Sequence, residues 1–141
     1  MIDNKLLEIA SNTKFYGLKN NYTYKTNLKN SICGDKISIE ISLKKNTIQE
    51  LRYETEACIF CQASASTLAN IAKNTNLGDL KKNLSKYLNF SKKVPKKFNN
   101  LNYLLKDKYM SRKDCILLPF KAFYKAIKWY DKKINIYYYD L

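Results

Sequence analysis

Hydrophobic residues change their spacing several times along the chain, and each change marks an element. Ile2, Leu6, Leu7 and Ile9 fall at near-helical intervals and predict a short amphipathic helix that has ended by Gly17. From Tyr22 the period drops to two, with Tyr22, Tyr24, Thr26 and Leu28 on one face of a strand. Ile37, Ile39, Ile41 and Leu43 alternate with Lys36, Ser38, Glu40, Ser42 and Lys44, the pattern of a half-buried antiparallel strand with one wet face. A turn at Lys45-Asn46 leads to a third strand from Ile48 to Thr55, where Leu51, Tyr53 and Thr55 alternate. Three consecutive strands with short links imply a meander.

Helical spacing resumes at Cys58, because Cys61, Ala65, Leu68 and Ala72 share a face, and Ala63 and Ala69 allow close approach of a neighbour. Leu77, Leu80, Leu84, Tyr87 and Leu88 mark a second helix within Leu77 to Phe90, followed by a basic, proline-containing connection from Ser91 to Asn100. Ile116, Phe120, Phe123, Ile127 and Tyr130 form the stripe of a C-terminal helix, with Pro119 expected in its first turn, where a missing N–H costs little. The tyrosine-rich tail from Ile134 to Leu141 fits no pattern. The fold class expected is α+β, a three-stranded antiparallel sheet with helices packed on one face, in a single domain over residues 1–141.

Composition adds little to this and removes some functions. No apolar run approaches the ~18 residues needed to span a bilayer, and the N-terminus lacks the basic start, apolar middle and small-residue cleavage site of a secretory signal. A cytoplasmic protein without disulfides or membrane contact is expected. The formal charge of +14 invites a polyanionic partner, but only Arg52 and Arg112 are arginines among 26 basic residues. Bidentate phosphate recognition is mostly arginine chemistry, so nucleic-acid binding is disfavoured.

The candidate chemistry lies in four cysteines. In Cys33-Gly34-Asp35 a thiol and a carboxylate two residues apart project to the same side of an extended chain, and Gly34 permits a tight path between strands. Cys58 falls where the third strand meets a helix, and Cys115 just before the C-terminal stripe. Each is thus expected near a helix N-terminus, whose dipole favours thiolate. Three thiolates and a carboxylate are a competent tetrahedral set for zinc, and sulfur-rich sites also suit iron-sulfur clusters. Spacing alone leaves open a set of structural thiols, since the steps of 25 and 57 residues (33 to 58, 58 to 115) match no short zinc-finger pattern. Cys58-x-x-Cys61 could be a thioredoxin-like redox pair or half a zinc site, yet no second pair follows it.

Three segments together resemble the cysteine motifs of the SufU/IscU (NifU N-terminal) family of iron-sulfur cluster assembly proteins. They are Cys33-Gly34-Asp35, then Ala57-Cys58-Ile-Phe-Cys-Gln-Ala-Ser64-Ala65-Ser66, then Asp114-Cys115-Ile-Leu-Leu-Pro-Phe-Lys-Ala. The resemblance covers roughly residues 20 to 130 and implies the same α+β fold. Departures point to a subtype. IscU proper has a histidine beside its third cysteine, whereas this chain has none and carries Asp114 there. The long step to Cys115 and Arg112 look like features of SufU, Ala57 replaces the usual glycine, and the Leu-Pro-Pro-Val-Lys chaperone motif of IscU is missing.

The resemblance implies that Cys33, Asp35, Cys58 and Cys115 hold Zn2+ or a transient [2Fe-2S] cluster, and that Cys115 accepts persulfide sulfur from a SufS-like cysteine desulfurase. Apo iron-sulfur proteins or the SUF scaffold complex are the implied recipients. The catalytic role is at most that of a zinc-dependent, sulfurtransferase-like relay, which the missing histidine favours modestly over a pure scaffold. Cys61 is then core or an auxiliary sulfur site. Arg112 either offsets the site's negative charge, pairing with Asp35 as ligands rearrange, or is a solvated cation. The lysine-rich connection is a candidate dock for an acidic patch of the desulfurase. The alternative, from a different class, is a small zinc-stabilised binding module whose basic surface contacts nucleic acid or an acidic protein.

Overall fold

A computed structural model describes residues 2–88 and 98–128. Its sheet is a meander of β1 (Tyr24–Lys29), β2 (Lys36–Lys44) and β3 (Thr47–Glu56), in the order β1-β2-β3 with both pairs antiparallel. Lys44 pairs with Thr47, so the β2–β3 loop is the expected two residues, and Lys45 takes φ 57, the left-handed region that such loops use. Between Ser42 and Leu43 the register shifts: Ser42 faces Glu50 while Leu43 faces Ile48, which leaves Gln49 bulged. The extra residue lets Ile48 and Leu51, of opposite parity, both lie fully buried.

Helices cover one face of this sheet, α5 (Lys113–Ala126) against β1 and β2, and α2 (Ile59–Ala72) against β3. Ile37, Ile39, Ile41 and Leu51 from the sheet meet Leu68, Phe120 and Phe123 from the helices in one buried cluster. Around these pack α1 (Asn4–Ser11), α3 (Leu77–Tyr87), α4 (Asn99–Leu104) and a 3₁₀ turn (Asp107–Arg112) that runs directly into α5. Asn76 caps α3 by accepting the Asp79 N–H at 3.0 Å, as a short amide at that position should. Among the described residues no helix is long and apolar enough to cross a membrane.

Three expectations from the pattern change on inspection. First, α2 is not one-sided: Phe60, Cys61, Ala63, Ser64, Ala65, Ser66, Thr67, Leu68, Ala69 and Ala72 are all buried. Its small residues make this possible, because α1, α4, α5 and β3 all pack against it, and a helix enclosed on every side loses its polar face. Second, Pro119 lies in the second turn of α5 rather than the first, because the 3₁₀ turn starts that helix at Lys113. Proline then has no N–H for the Cys115 carbonyl one turn earlier. Third, the outer face of β2 is not uniformly wet. Glu40 is 1% exposed, accepting the N–H groups of Lys19 at 2.8 Å and Asn20 at 3.1 Å from the segment that crosses that face. The 91–97 part of the basic connection, Phe90, Tyr130 and the tail from 134 to 141 lie outside the described residues.

Candidate metal and sulfur centre

The site forms at one end of the sheet, where the β1–β2 turn, the β3-to-α2 junction and the start of α5 meet. The turn joins Lys29 of β1 to Lys36 of β2. It is held by Asn30, whose N–H donates to the Asp35 carbonyl and whose own carbonyl accepts from Gly34, each at 2.8 Å. Gly34 has φ 78. A Cβ there would meet nothing within 4 Å, so glycine is needed for backbone conformation and not for space. This loop leaves Cys33 exposed and turns Asp35 inward to 7% exposure.

Cys58 is the N-cap of α2, with φ −67 and ψ 166, so its backbone is still extended while the next residue is helical. Asp35 meets it twice: Oδ1 accepts the Cys58 N–H at 3.2 Å and Oδ2 accepts the Cys58 thiol at 3.3 Å. Cys115 is the third residue of α5 and is buried. Its Sγ lies 3.9 Å from Cys33 Sγ, and the ligand atoms of Cys33, Asp35 and Cys115 all lie within 4.8 Å of one another. The fold thus gathers all four expected residues. Cys58 joins the other three through the Asp35 carboxylate.

Two of these spacings have the lengths found around a thiophilic ion, while Cys58 lies outside the group whose ligand atoms all fall within 4.8 Å of one another. Zinc–sulfur bonds of about 2.3 Å in a tetrahedron put two sulfurs about 3.8 Å apart, and a sulfur and a carboxylate oxygen about 3.5 Å apart. The Cys33–Cys115 and Asp35–Cys58 pairs match those edges at 3.9 and 3.3 Å.

Electrostatics without a cation run against the helix-dipole expectation. Burial pushes the Cys115 thiol above its ordinary range, and the neighbouring Cys58, Asp35 and Cys33 push the same way. The dipole of α5 does not offset this, because desolvation of a thiolate beside other anionic groups is the larger cost. A metal ion reverses the sign by supplying the local positive charge.

Arg112 is exposed, with its guanidinium carbon 5.6 Å from the centroid of Phe60, two residues after Cys58. Among the described residues no ion pair joins it to Asp35. Two further side chains support the site without any periodic signal in sequence. Phe60 is buried under Arg112 and against Tyr109, at 5.4 Å between ring centroids. The Ser64 hydroxyl donates to the Ile116 carbonyl and ties α2 to the residue after Cys115. Ser64 lies within the Ala-Ser-Ala-Ser run, where a buried hydroxyl among alanines was the available clue. Cys61 is wholly buried in the first turn of α2, its thiol raised by burial and by the charges of Asp35, Cys58, Cys115 and Cys33.

A meander carrying three thiols and one carboxylate at one end, backed by helices on a single face, defines a class of α+β protein whose rim could hold a soft metal ion. The chain belongs to the family described as the NifU-like N terminal domain, which matches residues 1–136. Among curated proteins it is similar to the iron-sulfur cluster assembly scaffold protein IscU of Thermotoga maritima, 25% identical over 135 residues, covering 91% of this chain and 93% of that one. It is also similar to an uncharacterized protein of Borreliella burgdorferi, 29% identical over 126 residues, covering 79% and 83%. Of solved structures, the N-terminal part of a nitrogen-fixing NifU-like protein from Brucella abortus superposes with a TM-score of 0.77 at 20% identity, covering 93% of this chain and 94% of that one. A putative iron-sulfur cluster assembly scaffold protein for the SUF system from Fervidobacterium islandicum AW-1 gives 0.75 at 21% identity, covering 90% and 96%. The fold they share is this α+β arrangement.

Proposed function

We propose that this chain is a cytoplasmic iron-sulfur cluster assembly protein of the SUF type, which receives persulfide sulfur from a cysteine desulfurase and assembles or passes on sulfur at Cys33, Asp35, Cys58 and Cys115. The observation that carries the reading is the pairing of ligand atoms, Cys33 with Cys115 at 3.9 Å and Asp35 with Cys58 at 3.3 Å. Each pair has the spacing of two ligands on one metal ion, so the set serves one tetrahedral ion or, opened into its two pairs, two irons of a nascent cluster. The relatives named as scaffolds support the same reading.

Zinc, where resident, would be held by these four side chains and would keep their thiols ionised and apart from premature disulfide formation. The chain's own residues do the rest. Asp35 is the hard donor in a soft set and the easiest to exchange. Cys115 is the acceptor thiol in this reading, and its burial behind exposed Cys33 means that the Asn30–Asp35 loop swings aside for a partner's persulfide to reach it. Arg112, exposed on the same rim, offers the positive charge that faces an incoming anionic sulfur.

The test is metal and acid-labile sulfide content, with a visible spectrum, on protein purified without oxygen, beside Asp35→Ala and Cys115→Ala. About one zinc per chain without sulfide supports the relay form, whereas iron with sulfide supports the scaffold form. Absence of any metal removes the shared site. The relay role itself is read from desulfurase turnover with Cys115→Ala, where undiminished stimulation would sink it.

A further inference from the structure

Cys61 takes no part in the centre as described, yet its position is unusual. Cys58 is the N-cap of α2 and Cys61 is its third residue, N3. N-cap and N3 side chains stand over the same first turn, the pairing in which each reaches the other's backbone N–H in a capping box. Cys58 makes no side-chain capping bond, so to turn toward N3 its sulfur gives up the 3.3 Å contact with Asp35 Oδ2. The Cys61 thiol is 0% exposed, makes no hydrogen bond among the described residues, and lies within the fields of Asp35, Cys58, Cys115 and Cys33. It is therefore a buried thiol that no external donor can load directly, one helical turn from a site thiol. Since Cys58 keeps extended dihedrals outside the helix, a disulfide closed between N-cap and N3 asks for no change in the helical residues of α2.

We infer that Cys61 is a resolving thiol, which attacks the inner sulfur of a persulfide carried by Cys58, closes a Cys58–Cys61 disulfide and releases the outer sulfur as sulfide. The inference rests on the sulfur-accepting reading above. Sulfur taken up at Cys115 passes to its neighbour Cys58 by exchange, which leaves Cys115 a thiol and Cys58 a persulfide. In the resolving step the Cys61–Cys58 sulfur–sulfur bond forms and the bond to the outer sulfur breaks. The two thiol sulfurs are oxidised to a disulfide while the sulfane sulfur is reduced by two electrons. The Cys61 proton leaves with it as hydrogen sulfide, so the step needs no outside reductant. Hydrosulfide is the less basic leaving group, which favours this direction of exchange. A dithiol reductant then resets the pair. The chemistry delivers sulfur at the oxidation level that a cluster contains, and Cys58 becomes available as a ligand again once the pair is reduced.

Trypsin separates the players cleanly, because the peptide Tyr53–Lys73 holds Cys58 and Cys61 while Cys33 and Cys115 fall in other peptides. Anaerobic protein is loaded with glutathione persulfide and desalted. Sulfide release without added reductant is then followed, and peptides are mapped by mass spectrometry after alkylation. Cys61→Ser and Cys61→Ala are run in parallel, with circular dichroism to confirm folding. Expected for the unaltered chain is about one sulfide per persulfide, with peptide 53–73 becoming two hydrogens lighter, and at least about tenfold slower release from whichever Cys61 variant folds. Persulfide found on the protein with equal release from the variants, or without the disulfide in 53–73, overturns the resolving role and leaves the sulfur-accepting reading intact. Failure of every cysteine to take up sulfur overturns both.

Discussion

Asp35 and Cys58 are joined at two points, one carboxylate oxygen on the backbone N–H at 3.2 Å and the other on the thiol at 3.3 Å. The same side chain thus anchors the start of α2 and sets the position of a candidate ligand. Its two jobs separate by substitution. Asp35→Asn keeps an oxygen for the N–H but loses the anionic donor, so zinc affinity should fall at least about tenfold, the loss that even outer partners of metal ligands cause. Asp35→Ala should show the same metal loss and in addition lose about 1–3 kcal/mol of stability, because the Cys58 N–H is left without its acceptor. Competition with a chromophoric chelator and urea unfolding of both variants measure this. Equal stability in the two would mean that the backbone contact contributes nothing.

Metal uptake should release protons. Cysteine thiols ordinarily keep their proton at neutral pH, and burial strengthens this for Cys115. Since only thiolates ligate, binding one zinc expels up to about three protons, and apparent affinity rises with pH across the neutral range. The raised Cys115 carries that slope beyond the ordinary thiol range before it flattens. Calorimetry in buffers of different ionisation enthalpy counts the protons, and a count near zero would remove the thiols from the ligand set.

Much of this was legible in the sequence, for a physical reason. Ile37, Ile39 and Ile41 announce β2 because alternation has one structural solution, whereas a common site for Cys33, Asp35, Cys58 and Cys115 is implied by the family resemblance of their motifs, since their spacing alone fits structural thiols as well. What escaped the pattern depends on partners distant along the chain. Glu40 reads as a wet-face residue until the Lys19–Asn20 segment lies over it. Gln49 reads as an ordinary strand residue until the register on β2 makes it a bulge. Pro119 reads as a first-turn residue because the 3₁₀ turn before α5 has no hydrophobic period. No stripe marks α4 either, whose six residues bury only Leu101 and Leu104.

A second carboxylate governs how the N-terminal helix docks. Asp3 Oδ1 accepts the Leu6 N–H at 2.9 Å as the cap of α1, while Oδ2 accepts from the Tyr103 hydroxyl, from Tyr109 at 2.9 Å and from Lys108 at 2.9 Å. These donors, Tyr103 first, hold the Asp3 carboxyl well below the usual range. A lowered folded pKa contributes stability that is present above the unfolded value near 3.8 and is lost as pH falls through the folded one. Asp3→Asn preserves the cap and removes the charged acceptor. It should therefore lower the urea midpoint at pH 7, and the two proteins should converge as acid protonates the unaltered carboxyl. A gap that persists unchanged into strong acid would place the effect elsewhere.

Whether metal builds the fold or only uses it decides between an assembly protein and a zinc-stabilised binding module. The buried cluster of Ile39, Ile41, Leu51, Leu68, Phe120 and Phe123 joins sheet and helices, and of the four candidate ligands it includes only Cys115, with Cys58 packed at its margin. Two backbone bonds of 2.8 Å hold the Cys33–Asp35 loop without a metal. A domain whose core closes independently of its metal keeps its structure on chelation, whereas one that folds through its metal does not. Treatment with a strong chelator under reducing conditions should therefore leave far-ultraviolet circular dichroism and a cooperative thermal transition in place, with a modest fall in midpoint. Loss of the transition altogether would mean that zinc is part of the core, and would favour the binding module over the assembly protein.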